Sequence, residues 1–172
     1  MQVKTKWITQ TAVLTALLLV LQFGTKAFGQ IVTGSCVNAV LAVAALAAGL
    51  SSGLTVAILS PLFAFILGIG PQLFPLTPAI AAGNCALVTV IFAICKADLS
   101  PSRRIFACVS ASVAKFLVLN LLIVQILCRV LELADKQVAM FSTMFSWPQL
   151  ITALIGSGIA LLIVPRLKSI VK

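Results

Sequence analysis

The sequence predicts an all-α integral membrane protein, a bundle of six transmembrane helices that forms one membrane domain over residues 1–172. Hydrophobic residues make up 62% of the chain, charged residues make up 9%, and the mean hydropathy is +1.23. A soluble domain carries about 25% charged residues, so the composition excludes a water-soluble globule. Several apolar segments are long enough for helices that cross about 30 Å of hydrocarbon, and they lack the alternation of barrel strands.

The first three predicted helices follow a cationic start. Lys4 and Lys6 precede Trp7, and no small-residue cleavage site follows the apolar run, which argues against a signal peptide. Residues 51–53, Ser-Ser-Gly, are predicted to end the second helix. Pro61 lies within the third helix and predicts a kink, since proline removes a backbone hydrogen bond.

The last three predicted helices begin after a loop. Thr77 is expected to cap the fourth helix, with Pro78 in its first turn. Residues 129–143 are expected either to extend the fifth helix or to lie in the membrane interface. Trp147 opens the sixth. The six predicted helices cover approximately residues 7–23, 31–50, 54–70, 78–95, 105–128 and 148–165.

Lysine and arginine are unequally divided between the two sides of these six spans. One side holds Lys4, Lys6, Lys96, Arg103, Arg104, Arg166, Lys168 and Lys172, and the other holds Lys26, Arg129 and Lys136. Cytoplasmic loops carry the excess of basic residues, so both termini are predicted to be cytoplasmic, in the plasma membrane. Residues 24–30, 70–77 and 129–147 are then outside. Basic residues at helix ends, rather than along one face, predict no nucleic-acid binding.

Lys115 lies in the middle of the fifth predicted helix. A cation at the bilayer midplane costs about 2.5–3.5 kcal/mol on insertion scales. The chain has three acidic residues, Asp98, Glu132 and Asp135, and none is predicted to lie within a span. Snorkelling is the alternative, but from the midplane the lysine stem barely reaches either interface. We therefore expect Lys115 to contact a bound ligand that is anionic or rich in carbonyl groups.

Polar side chains from several predicted helices, including that of Lys115 itself, are expected to lie above Lys115. At about 1.5 Å per residue, Asn38 and Asn84 come about 10 Å below the outer surface, and Asn120 lies at a similar depth. The alternative is that each asparagine only bonds a neighbouring helix. Asn120 is about 140° around the helix from Lys115, so both face one cavity only if the helix bends. The predicted substrate-binding residues are Lys115, Asn120, Asn84, Asn38, Gln149 and Trp147.

Residues for catalysis or metal binding are scarce. The chain has no histidine, no paired carboxylates, and five cysteines without a CxxC pair. They are Cys36, Cys85, Cys95, Cys108 and Cys128. The sequence predicts no enzyme activity, no catalytic residue, no metal site and no cofactor.

Three stretches carry a resemblance to a known family. Ala12 and Ala16 form a small-xxx-small pair, residues 78–84 read Pro-Ala-Ile-Ala-Ala-Gly-Asn, and residues 147–156 open the last helix before a basic tail. With six spans in a short chain, the sequence resembles a substrate-binding S component of an energy-coupling factor (ECF) vitamin importer. The resemblance implies a vitamin or precursor bound from outside. It also implies that Ala12 and Ala16 dock onto a transmembrane coupling subunit driven by two ATPases.

The expected ligand is a small carboxylated molecule such as pantothenate. The chain has no tyrosine and two tryptophans, which argues against a stacked flat ring such as a flavin. The competing interpretation is a membrane scaffold of a cell-envelope assembly complex. A scaffold has no need of polar groups gathered at one depth, and this distinguishes the two hypotheses.

Overall fold

The computed structural model describes residues 2–95 and 100–170, with the backbone alone at 2–4 and 168–170. The described residues form helices and turns, without a strand. The helices are α1 (Gln2–Thr25), α2 (Gly29–Val43), α3 (Leu50–Ile66), α4 (Leu76–Ile94), α5 (Pro101–Leu119), α6 (Cys128–Val130), α7 (Asp135–Met144) and α8 (Trp147–Ile170). A 3₁₀ turn (Lys26–Phe28) follows α1, and π-helical segments follow α2 (Ala44–Ala48) and α5 (Asn120–Leu127).

Some expectations fall on residues that the structure does not describe. Lys96 and Lys172, assigned to the inner side, and the acidic Asp98 lie outside the described residues. The side chains of Lys4 and Lys168 are also not described.

Four segments have the length and hydropathy of a membrane span. They are Thr5–Ala48, Leu76–Ile94, Pro101–Val130 and Asp135–Leu167, and the shorter Leu50–Ile66 is also apolar. The described chain is therefore all-α with helices suited to a membrane, but the count of six spans is not confirmed. The difference arises because α1 and α2 merge into one segment, within which Gly29 has a φ of 83°.

The boundary between the second and third predicted helices is wrong by a few residues. We expected residues 51–53 to end the second helix, but they lie in the first turn of α3. The break falls at Gly49, whose φ of 98° belongs to a region that favours glycine. Ser52 is buried instead of lying in a loop. Its hydroxyl forms a 2.9 Å hydrogen bond with the hydroxyl of Thr11 of α1.

The start of α4 also differs from the prediction. Thr77 was expected to cap this helix, yet the helix begins at Leu76 and Thr77 lies inside it. The reason is a preceding turn, in which the amides of Leu76 and Thr77 donate to the carbonyls of Leu73 and Phe74. Helix-start donors are thus satisfied by backbone, and no side-chain cap is needed.

Two predicted helices end earlier than expected, and residues with positive φ follow both ends. We expected the third helix to continue to Gly70, but α3 ends at Ile66, and Gly68 and Gly70 have φ values of 65° and 80°. The expectation that residues 129–143 extend the fifth helix is wrong beyond Val130. Glu132 has a φ of 46° in the turn before α7, which separates the two helices.

Packing places α2, α4, α5 and α8 around one polar centre. Helix α8 packs mainly against α2 and α5, while α4 packs against α3 and α5. A buried apolar cluster, which includes Leu41, Val56, Leu87 and Ala153, joins these helices. Four helices are therefore held close enough for their side chains to share one site.

Candidate functional site

Lys115 is the centre of the buried polar network. Its side chain is 4% exposed, and its Nζ donates to Asn38 Oδ1 at 2.5 Å and to Asn84 Oδ1 at 2.7 Å. A lysine ammonium has three N–H donors and no acceptor. Both asparagines must therefore turn their carbonyl oxygens toward it. These two bonds bring α2, α4 and α5 together at one point.

Asn84 is oriented by a defect in α3. Pro61 lies inside that helix and has no N–H, so the carbonyl of Ala57, four residues earlier, loses its intrahelical donor. Asn84 Nδ2 donates to this carbonyl at 3.3 Å. With its nitrogen bound to α3, the carboxamide presents its oxygen to Lys115.

Asn38 is oriented from α8 by a similar arrangement. Its Nδ2 donates to Thr152 Oγ1 at 3.3 Å, and the Thr152 hydroxyl donates to the carbonyl of Gln149 at 3.1 Å. Thr152 is fully buried. Each of the two amides that face Lys115 thus has its nitrogen occupied by another helix, which fixes the direction of both oxygens.

Two glycines permit the close helix packing on which these bonds depend. A Cβ at Gly156 of α8 would lie 2.6 Å from both Asn38 Cβ and the carbonyl oxygen of Ser35. A Cβ at Gly83 of α4 would lie 2.6 Å from the Leu119 side chain of α5. Real Cβ atoms do not approach so closely, so a larger residue at Gly156 would push α2 from α8, and one at Gly83 would displace the Leu119 side chain.

A cavity of about 270 Å³ opens above Lys115. Its lining includes Asn38, Asn84 and Gln149, and it reaches the loop residues Gly70 and Pro71. No acidic residue is among the described lining residues. Lys115 has two protein acceptors for three donors, so one N–H is left for a molecule in the cavity. The apolar part of the wall comes from Val37, Pro61, Ala64, Phe65, Ile69, Ile80, Met144 and Phe145.

The structure separates two of the predicted binding residues from the others. Lys115, Asn38, Asn84 and Gln149 line one cavity, but Asn120 and Trp147 are not among its lining residues. Helix α5 stays regular through Leu119, so Asn120 remains about 140° around the axis from Lys115. Trp147 is 60% exposed at the start of α8, a position typical of interfacial tryptophans.

Several residues of the site were not predicted from the sequence. Thr152 and the Ala57 carbonyl orient the two asparagines, and Gln22 of α1 lines the cavity. Gln30 Nε2 and Gln149 Nε2 both donate to the carbonyl of Met144, at 2.6 Å and 3.1 Å. A glutamine within an apolar helix was the available signal for Gln22, and Thr152 follows Gln149 by nearly one helical turn.

Comparison with protein families decides the class of the molecule. The family described as "ECF transporter, substrate-specific component" matches residues 6–168. The chain belongs to this family of ECF substrate-specific components. Such components are membrane subunits that bind a small-molecule substrate and work with a coupling subunit and ATPases. No curated protein and no solved structure matches the chain.

Membership of the ECF family confirms the resemblance found in the sequence. It favours transport over the alternative of a membrane scaffold, because substrate-specific components are transport proteins. In this ECF component, the cavity above Lys115 brings together convergent polar groups, which is the usual character of a small-molecule site.

Proposed function

We propose that this chain binds a small carboxylated, vitamin-like molecule in the cavity and presents it to an ECF coupling module for import. The observation that carries the proposal is Lys115, which is buried at the cavity wall against two amide oxygens and retains one N–H donor. An isolated cation inside a membrane bundle is costly unless a partner completes it. A bound carboxylate is that partner.

The neighbours of Lys115 favour an anion over a neutral ligand. Asn38 and Asn84 offer dipoles without net charge, and the described lining has no carboxylate. Amide oxygens lower the cost of burying the ammonium but do not neutralise it. A ligand carboxylate would neutralise the charge and accept the remaining N–H in a charge-assisted hydrogen bond.

The size and lining of the cavity favour a compact, mainly aliphatic substrate. A volume of about 270 Å³ lies just below the range of about 300–1,000 Å³ that is typical of small-molecule pockets. Phe65 and Phe145 are the described aromatic lining residues, and neither tryptophan lines the cavity. Pantothenate, with a carboxylate on an aliphatic, hydroxylated body, is the candidate substrate that fits these features.

Import of the substrate requires that the cavity open to the outside and that the chain dock onto the coupling subunit. We propose six crossings, with α1 and α2 as separate spans, both termini cytoplasmic and the cavity open to the outside. Ala12 and Ala16 are exposed on α1, beside the exposed Val13 and Leu17. Small residues on an uncovered helix face let another helix approach closely. This supports docking of the coupling subunit, driven by two ATPases, on that face.

The test is to identify the small molecule that co-purifies with the protein. We expect mass spectrometry to find one carboxylated compound at about one equivalent per chain, and calorimetric titration of the stripped protein with pantothenate to show saturable binding. A co-purified cation would overturn the proposal of an anionic substrate. A carboxylated compound other than pantothenate would overturn only the choice of substrate.

A further inference from the structure

Gln22 is a buried polar residue of α1 at the wall of the cavity. Its side chain is 6% exposed, and it lies on the inward face of α1 with Thr11 and Leu18, the other buried residues of that helix whose side chains are described. Within the described part of the chain, its Oε1 is buried and has no hydrogen-bond partner. Gln22 also lines the cavity above Lys115.

An unpaired amide oxygen in an apolar helix is unfavourable for folding. Burial removes the oxygen from water, and nothing in the described chain replaces that hydrogen bond. Leucine or methionine at this position would fill the same space without the cost. The carboxamide is therefore better explained by a partner that the chain itself does not supply.

A second buried polar group without a partner differs from Gln22 in its position relative to the cavity. Ser157 Oγ of α8 is also buried without a hydrogen-bond partner among the described residues. Ser157 does not line the cavity, so a ligand there has no access to it. Gln22 combines an unsatisfied acceptor with a position on the wall of a cavity.

We propose that Gln22 is a specificity-determining ligand contact, whose side-chain oxygen accepts a hydrogen bond from a hydroxyl or amide N–H group of the bound molecule. The terminal torsion of glutamine has a broad energy profile, so the carboxamide can turn its oxygen toward the cavity at little cost. The inference deepens and rests on the proposed function. It adds to the carboxylate expected at Lys115 a hydrogen-bond donor elsewhere in the same molecule.

The donor requirement excludes some molecules that the carboxylate alone would allow. A fatty acid carries a carboxylate but no second donor, so Gln22 would stay unpaired beside it. A hydroxy acid or an amide-containing carboxylate pairs both Lys115 and Gln22. Sites with a buried polar group discriminate strongly against analogues that leave it unpaired.

The experiment compares full-length variants purified in detergent from the same cells. Gln22→Met removes the carboxamide but keeps the length, and Ser157→Ala removes the other unpartnered group as a matched control. The small molecules retained by each protein are quantified by mass spectrometry per mole of chain. We expect Gln22→Met to retain about tenfold less of the compound than the wild type, and Ser157→Ala to retain the wild-type amount.

Thermal stability of the stripped proteins separates binding from folding. We expect Gln22→Met to melt at or above the wild-type temperature, because it removes an unpaired buried oxygen. Unchanged retention by Gln22→Met, or a lowered melting temperature, would overturn the proposal. Lys115→Met distinguishes this from the proposed function. If Lys115→Met retains the compound fully while Gln22→Met does not, the expected carboxylate contact is wrong and the Gln22 contact stands.

Discussion

Asn84 donates to the carbonyl that Pro61 leaves without a helical partner. This link, from Asn84 Nδ2 to Ala57 O at 3.3 Å, explains why a proline lies inside an apolar helix beside the site. The missing N–H frees an acceptor on α3, and the acceptor fixes the carboxamide that faces Lys115. A feature that weakens one helix thereby orients a side chain of another.

Restoring the amide at position 61 tests this relationship. In Pro61→Ala, the new N–H competes with Asn84 for the Ala57 carbonyl. We expect ligand affinity to fall about two- to tenfold, the range of a neutral hydrogen bond worth about 0.5–1.5 kcal/mol. Titration calorimetry with the co-purified compound measures it. Pro165→Ala is the control, since Pro165 is exposed and lies inside α8 away from the cavity; equal effects would contradict the idea.

Close packing of α2 against α8 gives a stability prediction. In Gly156→Ala, the added Cβ would meet Asn38 Cβ and backbone of Ser35, so the helices must separate. Overpacking of this kind costs about 1–3 kcal/mol, and we expect a lower melting temperature together with weaker ligand binding. Gly158→Ala is the matched control, because a Cβ there has nothing within 4 Å. Similar melting temperatures for the two variants would show that α2 and α8 adjust freely.

The polar centre could be predicted from the sequence, because a lysine within an apolar span is unfavourable unless it has a partner. Lys115 lies in an apolar run without a carboxylate of suitable depth, and asparagines at one depth on two other helices offer its partners. Depth follows from counting residues along a span. The direction of each side chain does not, and so Asn120, at a suitable depth, lies away from the cavity.

The remaining features depend on backbone details that periodicity does not contain. The break at Gly49 and the end of α3 at Ile66 arise where glycines have positive φ. The sequence contains several glycines at which a helix could end, and it does not show which of them adopt this conformation. The role of Thr152 depends on the register of α8 against α2. The unpaired oxygen of Gln22 is apparent only when the neighbours of its side chain are known.

Topology is tested by labelling single cysteines in a variant that lacks the five native ones. We expect a cysteine at Gln72, exposed in the loop before α4, to react with a membrane-impermeant maleimide in intact cells. A cysteine at Ser102, exposed at the start of α5, should react only after permeabilisation. The opposite pattern would place the termini outside and would close the cavity to external substrate.

Docking of the coupling subunit is tested by adding bulk to the exposed face of α1. We expect the double variant Ala12→Trp/Ala16→Trp to lose uptake in cells, because large rings prevent close helix approach, while the isolated protein binds its substrate nearly as well as the wild type. Leu162→Trp is the control, since Leu162 of α8 is 75% exposed and tryptophan there should leave uptake intact. Loss of substrate binding in the double variant would instead indicate that the alanines serve internal packing.

The charge of the substrate is tested at Lys115. Lys115→Met keeps the apolar stem and removes the ammonium, so a ligand carboxylate loses its partner. Removing one partner of a buried charge-assisted hydrogen bond costs about 2–5 kcal/mol, or roughly thirty-fold to several thousand-fold in affinity. The variant should still fold, since Asn38 and Asn84 keep their bonds to α8 and α3.

Calorimetric titration with the co-purified compound measures the change in affinity. Lys136→Met, on the exposed surface of α7, is the matched control. An unchanged dissociation constant for Lys115→Met would mean that the lysine serves only to join α2, α4 and α5 and that it binds no negative charge of the substrate.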